Sequence, residues 1–303
     1  MLSLVPPPKR QSRGISLRGA SDRIRILSAV ERRGPLFEVR RVIVITLSLV
    51  VLLIPPLWGW VRIDLWGGNH LLLGEPANVI AALKGFVVAM GVLYGFTFAS
   101  NVIVGRFFCG WGCPVGYVSR LGEHIALAKS KAARWWHQLS GAGFAATFVA
   151  AVMLWWVDPR VMIEGSLKAK LIVTGVFIAL WIGGWLHASK WRFGFCLSAC
   201  PIGFYYRIVT SKAPIGISFI QVPNPCIECH ACEKVCPVNL DPKRLGDDID
   251  APPDTVDGPS LRYGDAECLR CGDCVEACRM VFAPDPGAVP PLRFGFERTT
   301  KEV

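Results

Sequence analysis

The chain has 303 residues, 52% of them hydrophobic, and a mean hydropathy of +0.41, which excludes an ordinary water-soluble globule. Its net charge of +10 is split between a basic stretch (residues 1–221, +16) and an acidic one (222–303, −6). A basic chain invites a nucleic-acid reading, but the positive clusters flank apolar runs and no nucleic-acid motif accompanies them.

Residues 1–41 carry 10 Lys+Arg against 3 Asp+Glu and read as a basic arm. No secretory cleavage site follows, so the first apolar run is expected to stay in the bilayer. A hydrocarbon core of ~30 Å takes about 20 helical residues. Runs at 42–61, 85–105, 141–157 and 171–189 meet that requirement, with Pro55 and Pro56 expected to kink the first or end it early. The segment between the second and third runs holds Arg106, Arg120, Lys129, Lys131 and Arg134 against Glu123. By the positive-inside rule both termini and this segment face the cytoplasm.

The membrane half (42–221) repeats itself. Phe108-Cys109-Gly-Trp-Gly-Cys113-Pro114-Val115-Gly116-Tyr117 matches Phe195-Cys196-Leu-Ser-Ala-Cys200-Pro201-Ile202-Gly203-Phe204 at an offset of 87 residues, and Arg120 matches Arg207. Two spans followed by C-x3-C-P, twice in one orientation, imply parallel repeats about an axis along the membrane normal. After the first pair, Val115, Val118, Leu121, Ile125 and Ala128 recur at steps of three or four, an amphipathic interfacial helix followed by Trp135 and Trp136.

The chain holds 12 cysteines in tight groups, unlike a dispersed disulfide framework. Cys226, Cys229, Cys232 and Cys236 (then Pro237) form one C-x2-C-x2-C-x3-C run, and Cys268, Cys271, Cys274 and Cys278 a second. Three cysteines at two-residue gaps wrap three corners of a [4Fe–4S] cubane, and the fourth of each run ligates the other cluster. This gives one cluster to Cys226, Cys229, Cys232 and Cys278, and the other to Cys268, Cys271, Cys274 and Cys236. Zinc would prefer two ligand pairs across a longer spacer. Arg279 stands where a proline is usual after the second run, and a loop at 241–262 is needed because the runs start 42 residues apart. Residues 283–303 read as an irregular tail.

The pairs Cys109/Cys113 and Cys196/Cys200 each end at a proline suited to the first turn of a helix, where the dipole favours thiolate. Convergence of the four on a further Fe–S or metal centre, Cu(I) included, stands against plain burial as small hydrophobes. Glu123 and His124, with Arg120, Tyr206 and Arg207 nearby, are candidates for a quinone site at the interface, against a solvated or lipid-facing role. His187 near a span end reads as an interfacial polar residue rather than a haem ligand. His230, inside a cluster motif, is expected to cover or tune the cluster. No Walker loop, dinucleotide fingerprint or nucleophile–base pair occurs, so the chemistry is one-electron transfer.

The expected fold is therefore a mainly α membrane protein, four transmembrane helices in two parallel repeats plus a small α+β double-cluster ferredoxin-like domain at 222–282. This order of motifs resembles the membrane-bound polyferredoxins of the NapH type, named from periplasmic nitrate reduction, and the ferredoxin-type MauN proteins of methylamine utilisation. The resemblance covers most of residues 42–282, and length favours this branch over relatives carrying an extra flavin or C-terminal domain. It implies a multi-pass bacterial inner-membrane protein that moves electrons between the quinone pool, or a cytoplasmic donor, and a periplasmic redox enzyme or second subunit. A quinol dehydrogenase subunit, a maturation factor handling a metal such as copper, and a membrane anchor with structural clusters are the three functions it leaves open.

Overall fold

The computed structural model describes residues 35–128, 130–191, 193–198, 200–203, 205, 213–221, 223–245, 264, 267–283 and 287–295. The basic arm before residue 35, most of the 241–262 loop, the last eight residues, and Tyr206 and Arg207 lie outside the described residues.

Four long helices run where the sequence has its apolar stretches: α1 (Pro35–Leu57), α2 (Val79–Val104), α5 (Lys131–Met153) and α7 (Leu167–Trp191). At ~1.5 Å per residue, 23 residues reach about 35 Å, enough for a bilayer core. Among the described residues, two apolar segments are long and apolar enough to cross a membrane, Val79–Val104 and Leu167–His187. Val88, Val92 and Phe96 on α2 and Leu171 and Leu180 on α7 are exposed. Helix α1 reaches Leu57, and Pro55 and Pro56 fall in its last turn. Proline cannot donate to the preceding turn, and the chain leaves the helix as Val61–Arg62, strand β1.

β1 pairs with β2 (Leu71–Leu72), which pairs with β3 (Glu75–Pro76), all antiparallel. This cap is tied to the turn after α5 by a buried ion pair, Arg62 Nη2 to Asp158 Oδ2 at 2.6 Å, and by Ile63 N–H donating to the Trp155 carbonyl at 2.9 Å. Helix α2 starts at Asn78, whose side chain accepts from Ala81 N–H at 2.8 Å, an N-cap of the favoured kind. Ser130 caps α5 in the same way. That cap starts α5 ten residues before the expected span at 141, so Trp135 and Trp136 belong to α5 rather than trailing the interfacial helix.

Between α2 and α5 lie α3 (Phe107–Trp111) and α4 (Pro114–Leu127). Helix α4 packs against α5 and α7, which also pack on each other. Its Val118 sits with Ala145 of α5 and Trp181 of α7, and Trp181 Nε1 donates to Ala142 O at 2.8 Å. After α6 (Val161–Glu164) and α7 come α8 (Gly194–Ser198), β4 (Gly216–Phe219), α9 (Ala231–Lys234), α10 (Asp273–Phe282) and β5 (Leu292–Gly295). β4 and β5 pair antiparallel with Gly216 opposite Gly295 and Phe219 opposite Leu292, so the strands flanking the cluster motifs begin before residue 222 and continue past 282. Ile217, Val235, Ala277, Phe282 and Leu292 close the core of this unit around Cys232, Cys274 and Cys278.

Candidate iron–sulfur sites

The two C-x2-C-x2-C loops share one backbone device. Glu228 and His230 in the first, and Arg270 and Gly272 in the second, have positive φ (54°, 55°, 50° and 81°). These positions are equivalent between the motifs, 42 residues apart. Left-handed backbone at non-glycine residues costs roughly 1–3 kcal/mol and concentrates at ligand clamps. Here it curls each loop so that successive cysteines turn inward. Glu228 N–H donates to Cys226 Sγ at 3.4 Å and Leu240 N–H to Cys236 Sγ at 3.3 Å, the contacts that would stabilise thiolate charge.

Cys226, Cys229, Cys232 and Cys278 line one cavity. Cys236, Cys268, Cys271 and Cys274 line a second. Each cavity thus takes three thiols from one run and the fourth from the other. Burial pushes the Cys232 thiol up to about 12, with Cys278 and Cys229 adding to it, and burial likewise pushes Cys278 up to about 11. Cys271 and Cys274 are raised well above the usual thiol range, again by burial first. Four buried thiols are poor thiolates alone, and cationic metal is the partner that deprotonates them. The donor set therefore fits an iron–sulfur cluster. Among the described residues no group of three or more His, Cys, Asp or Glu side chains is arranged around a single metal ion.

The second loop is pressed against the helical half. A Cβ on Gly110 would lie 2.5 Å from Leu269 O and 3.0 Å from Cys271 Cα, an approach only glycine permits. Arg41, at the start of α1 and 1% exposed, donates to Cys271 O at 2.8 Å and to Asp273 Oδ1 at 2.9 Å. Arg120 of α4 grips the same carboxylate bidentately, at 2.7 and 2.9 Å. These guanidiniums hold the buried Asp273 carboxyl far below the usual range against the opposing effect of burial. Trp111 Nε1 donates to Arg270 O at 3.3 Å, and the Arg41 guanidinium lies 5.1 Å from the Trp111 ring centroid.

Cys109, Cys113, Cys196 and Cys200 are electrostatic neighbours. Burial pushes the Cys109 and Cys196 thiols up to about 12, with Cys113 adding to each. Arg106, fully buried between the two halves, donates to Cys196 O at 2.6 Å and offsets part of the rise that burial causes at Cys109 and Cys113. A Cβ on Gly116 would collide with Cys109 O, and one on Gly203 with Cys196 O, so the two segments bend in the same way. Cys113 and Cys271 line one cavity, together with Gly110, Tyr117 and Arg120.

Of the quinone-site candidates, Tyr206 and Arg207 lie outside the described residues, and Arg120, Glu123 and His124 share α4. Arg120 is committed to Asp273, Glu123 is buried on α4, and His124 packs its ring 5.6 Å from that of His137. His187 meets Phe195 edge-on at 4.8 Å. His230 Nδ1 lies 2.9 Å from Glu233 Oε1, over the first cavity. Sequence reasoning passed over Arg41, Arg106, Arg270, Asp273 and Gly110. Asp273 and Arg270 carried a signal, each a charge between two cluster-motif cysteines, whereas Arg41 and Arg106 at span ends read as topology charges.

Comparison with known proteins follows the same division. The model of a 4Fe-4S dicluster domain matches residues 218–279, and that of a 4Fe-4S binding domain matches residues 85–131. The ferredoxin-type protein NapH of Haemophilus influenzae is 26% identical over 187 residues, 58% of this chain and 61% of that one. The methylamine utilization ferredoxin-type protein MauN of Methylorubrum extorquens is 28% identical over 149 residues, 45% of this chain and 48% of that one. NapH of Escherichia coli is 24% identical over 226 residues, 67% and 66% of the two chains. The chain thus spans less than two thirds of the length of the first two relatives. No solved structure matches it. With 4Fe-4S domain matches at both ends of its cysteine array, the chain is similar to the ferredoxin-type proteins NapH and MauN.

Proposed function

We propose that this chain is a multi-pass membrane polyferredoxin that passes single electrons between the quinone pool, or a cytoplasmic donor, and a periplasmic redox system of the nitrate reductase or methylamine dehydrogenase kind. The observation that carries this reading is the gathering of eight cysteines around two cavities, one of which shares Cys271 with a third cavity lined by Cys113 of the helical half. A [4Fe–4S] cluster bound in each cavity supplies a one-electron store. The protein's own part is to hold Cys226, Cys229, Cys232 and Cys278 around the outer site and Cys268, Cys271, Cys274 and Cys236 around the inner one.

The proposed topology has α1, α2, α5 and α7 as four spans in two parallel repeats, with both termini and the cysteines on the cytoplasmic side. The basic segment after α2 and the matched bends at Gly116 and Gly203 support it. Arg120 then belongs to the docking of the ferredoxin unit, leaving Glu123 and His124 as the quinone candidates among the described residues.

A second reading is favoured by the grouping of Cys109, Cys113, Cys196 and Cys200 around Arg106. In it the chain reduces or handles a metal such as copper at these thiols, as a maturation factor.

Anaerobically purified protein in detergent, mixed with a reduced quinol analogue and followed by EPR with dithionite as control, tests the first reading. Signal with quinol supports a quinol-linked role. Signal with dithionite alone, from intact clusters, rejects quinol as donor and favours the maturation reading.

A further inference from the structure

The two cavities have unlike charge around them. Three guanidiniums are buried about the one lined by Cys236, Cys268, Cys271 and Cys274: Arg41 at 1% exposure, Arg270 at 3% and Arg120 at 8%. Arg270 sits in the loop itself and donates to the Ile215 carbonyl. The carboxylate bonded to Arg41 and Arg120 is Asp273, 2% exposed; Glu123, 7% exposed, lies one turn beyond Arg120 on α4. Glu38 reaches Arg41 at 3.1 Å, but its side chain is 31% exposed and screened by water. Glu276, farther along α10, is bonded to its own Arg279 at 2.5 and 2.9 Å. At the other cavity Lys243 is paired with Glu233 at 2.7 Å, and Glu233 also meets His230 at 2.9 Å. That site is open to solvent along Glu228 and His230.

We infer that Arg41 and Arg120, gripping Asp273, poise the inner site at a higher reduction potential than the outer one, so that electrons within the ferredoxin unit run from the outer site towards the helical half. The inference rests on the electron-transfer reading above and supplies its direction. Reduction adds one negative charge to a site, and an excess of buried positive charge stabilises that state. One electron leaves the outer site, which is oxidised by one unit, and enters the inner site, which is reduced by one; no bond or proton moves. A unit charge about 12 Å from the added electron, at an effective dielectric constant of about 20, changes the reduced-to-oxidised ratio roughly tenfold. For a one-electron couple that is about 59 mV. Arg41 and Arg120 are positioning residues, since they touch the loop and Asp273 rather than the reacting atoms.

The test is an anaerobic potentiometric titration of the full chain in detergent, with dithionite as reductant and EPR as readout. Cys226→Ser and Cys268→Ser assign the outer and inner signals. The inner signal should appear at the higher potential. Arg120→Gln should lower its midpoint by about 59 mV, a tenfold change in ratio, and Asp273→Asn should raise it, with the outer signal unmoved in both. Opposite shifts from the two ends of one ion pair are what a purely structural contact cannot produce. Should Arg120→Gln fail to assemble, Arg120→Lys keeps the charge and should keep the midpoint; a lowered midpoint there refutes the inference. Equal or reversed midpoints in the wild type, or shifts of one sign in the two variants, overturn it while leaving the electron-transfer reading intact. A wild type that holds no pair of clusters sinks that reading instead.

Discussion

Gly110→Ala tests whether the ferredoxin unit is seated on the helical half through direct backbone contact. The added Cβ would stand 2.5 Å from Leu269 O, 3.0 Å from Cys271 Cα and 3.1 Å from Cys271 N. All three are backbone atoms, so no side chain can swing aside, and the inner cluster loop must lift. Lifting it lengthens the Arg41 bond to Cys271 O, now 2.8 Å, and loosens the Trp111 bond to Arg270 O. Overpacking of this kind costs about 1–3 kcal/mol, which raises the population of locally opened molecules roughly 5- to 150-fold. The assay is the rate at which the inner cluster bleaches in air, read by EPR after timed exposure, with the outer cluster as internal reference. Gly143→Ala serves as control, since a Cβ there meets nothing within 4 Å. Bleaching of Gly110→Ala at the rate of wild type and control would refute the backbone contact.

Cys278→Ser should remove the cluster of the first run and spare that of the second, halving iron content to about four atoms per chain; loss of the second-run signal instead would reject the crossed ligand sets. Cys236→Ser should do the reverse. Cys109→Ser and Cys196→Ser should leave both ferredoxin signals at full strength while abolishing any further metal bound by the chain, measured by elemental analysis; unchanged metal content in both variants would remove these cysteines as ligands. Asp158→Asn strands Arg62 in a buried site and should cost about 3–5 kcal/mol, seen as a lowered thermal midpoint in detergent, whereas replacing Arg62 and Asp158 together by leucine should recover most of the loss. A midpoint equal to wild type in Asp158→Asn would deny that the pair is buried.

Local chemistry made much of this protein legible. The cysteine spacings marked the two loops whose thiols line the cavities, because a cubane demands ligands at short fixed intervals, and apolar runs between basic residues marked the long helices. Proline after Cys113 marked the start of α4, since a ring with no N–H fits the first turn. The limits came where backbone signals outweighed hydropathy. Ser130 starts α5 well before the apolar run because an N-cap acts on unpaired backbone N–H groups, whatever the hydropathy of the turns that follow.

Only the tertiary structure decided what the charges at the helix ends do. Arg41 and Arg120 stand 79 positions apart, and each reads along the chain as a cation beside an apolar stretch. Folding brings both to Asp273, more than 150 residues further on, because one buried carboxylate must be met by cations when water is excluded. Gly110 likewise reads as one glycine among 30, until the chain folds the Leu269–Cys271 backbone onto it. Ligand identity is written in local spacing. The seating of the inner site against the helical half depends on contacts between residues far apart in sequence, and no local pattern encodes those.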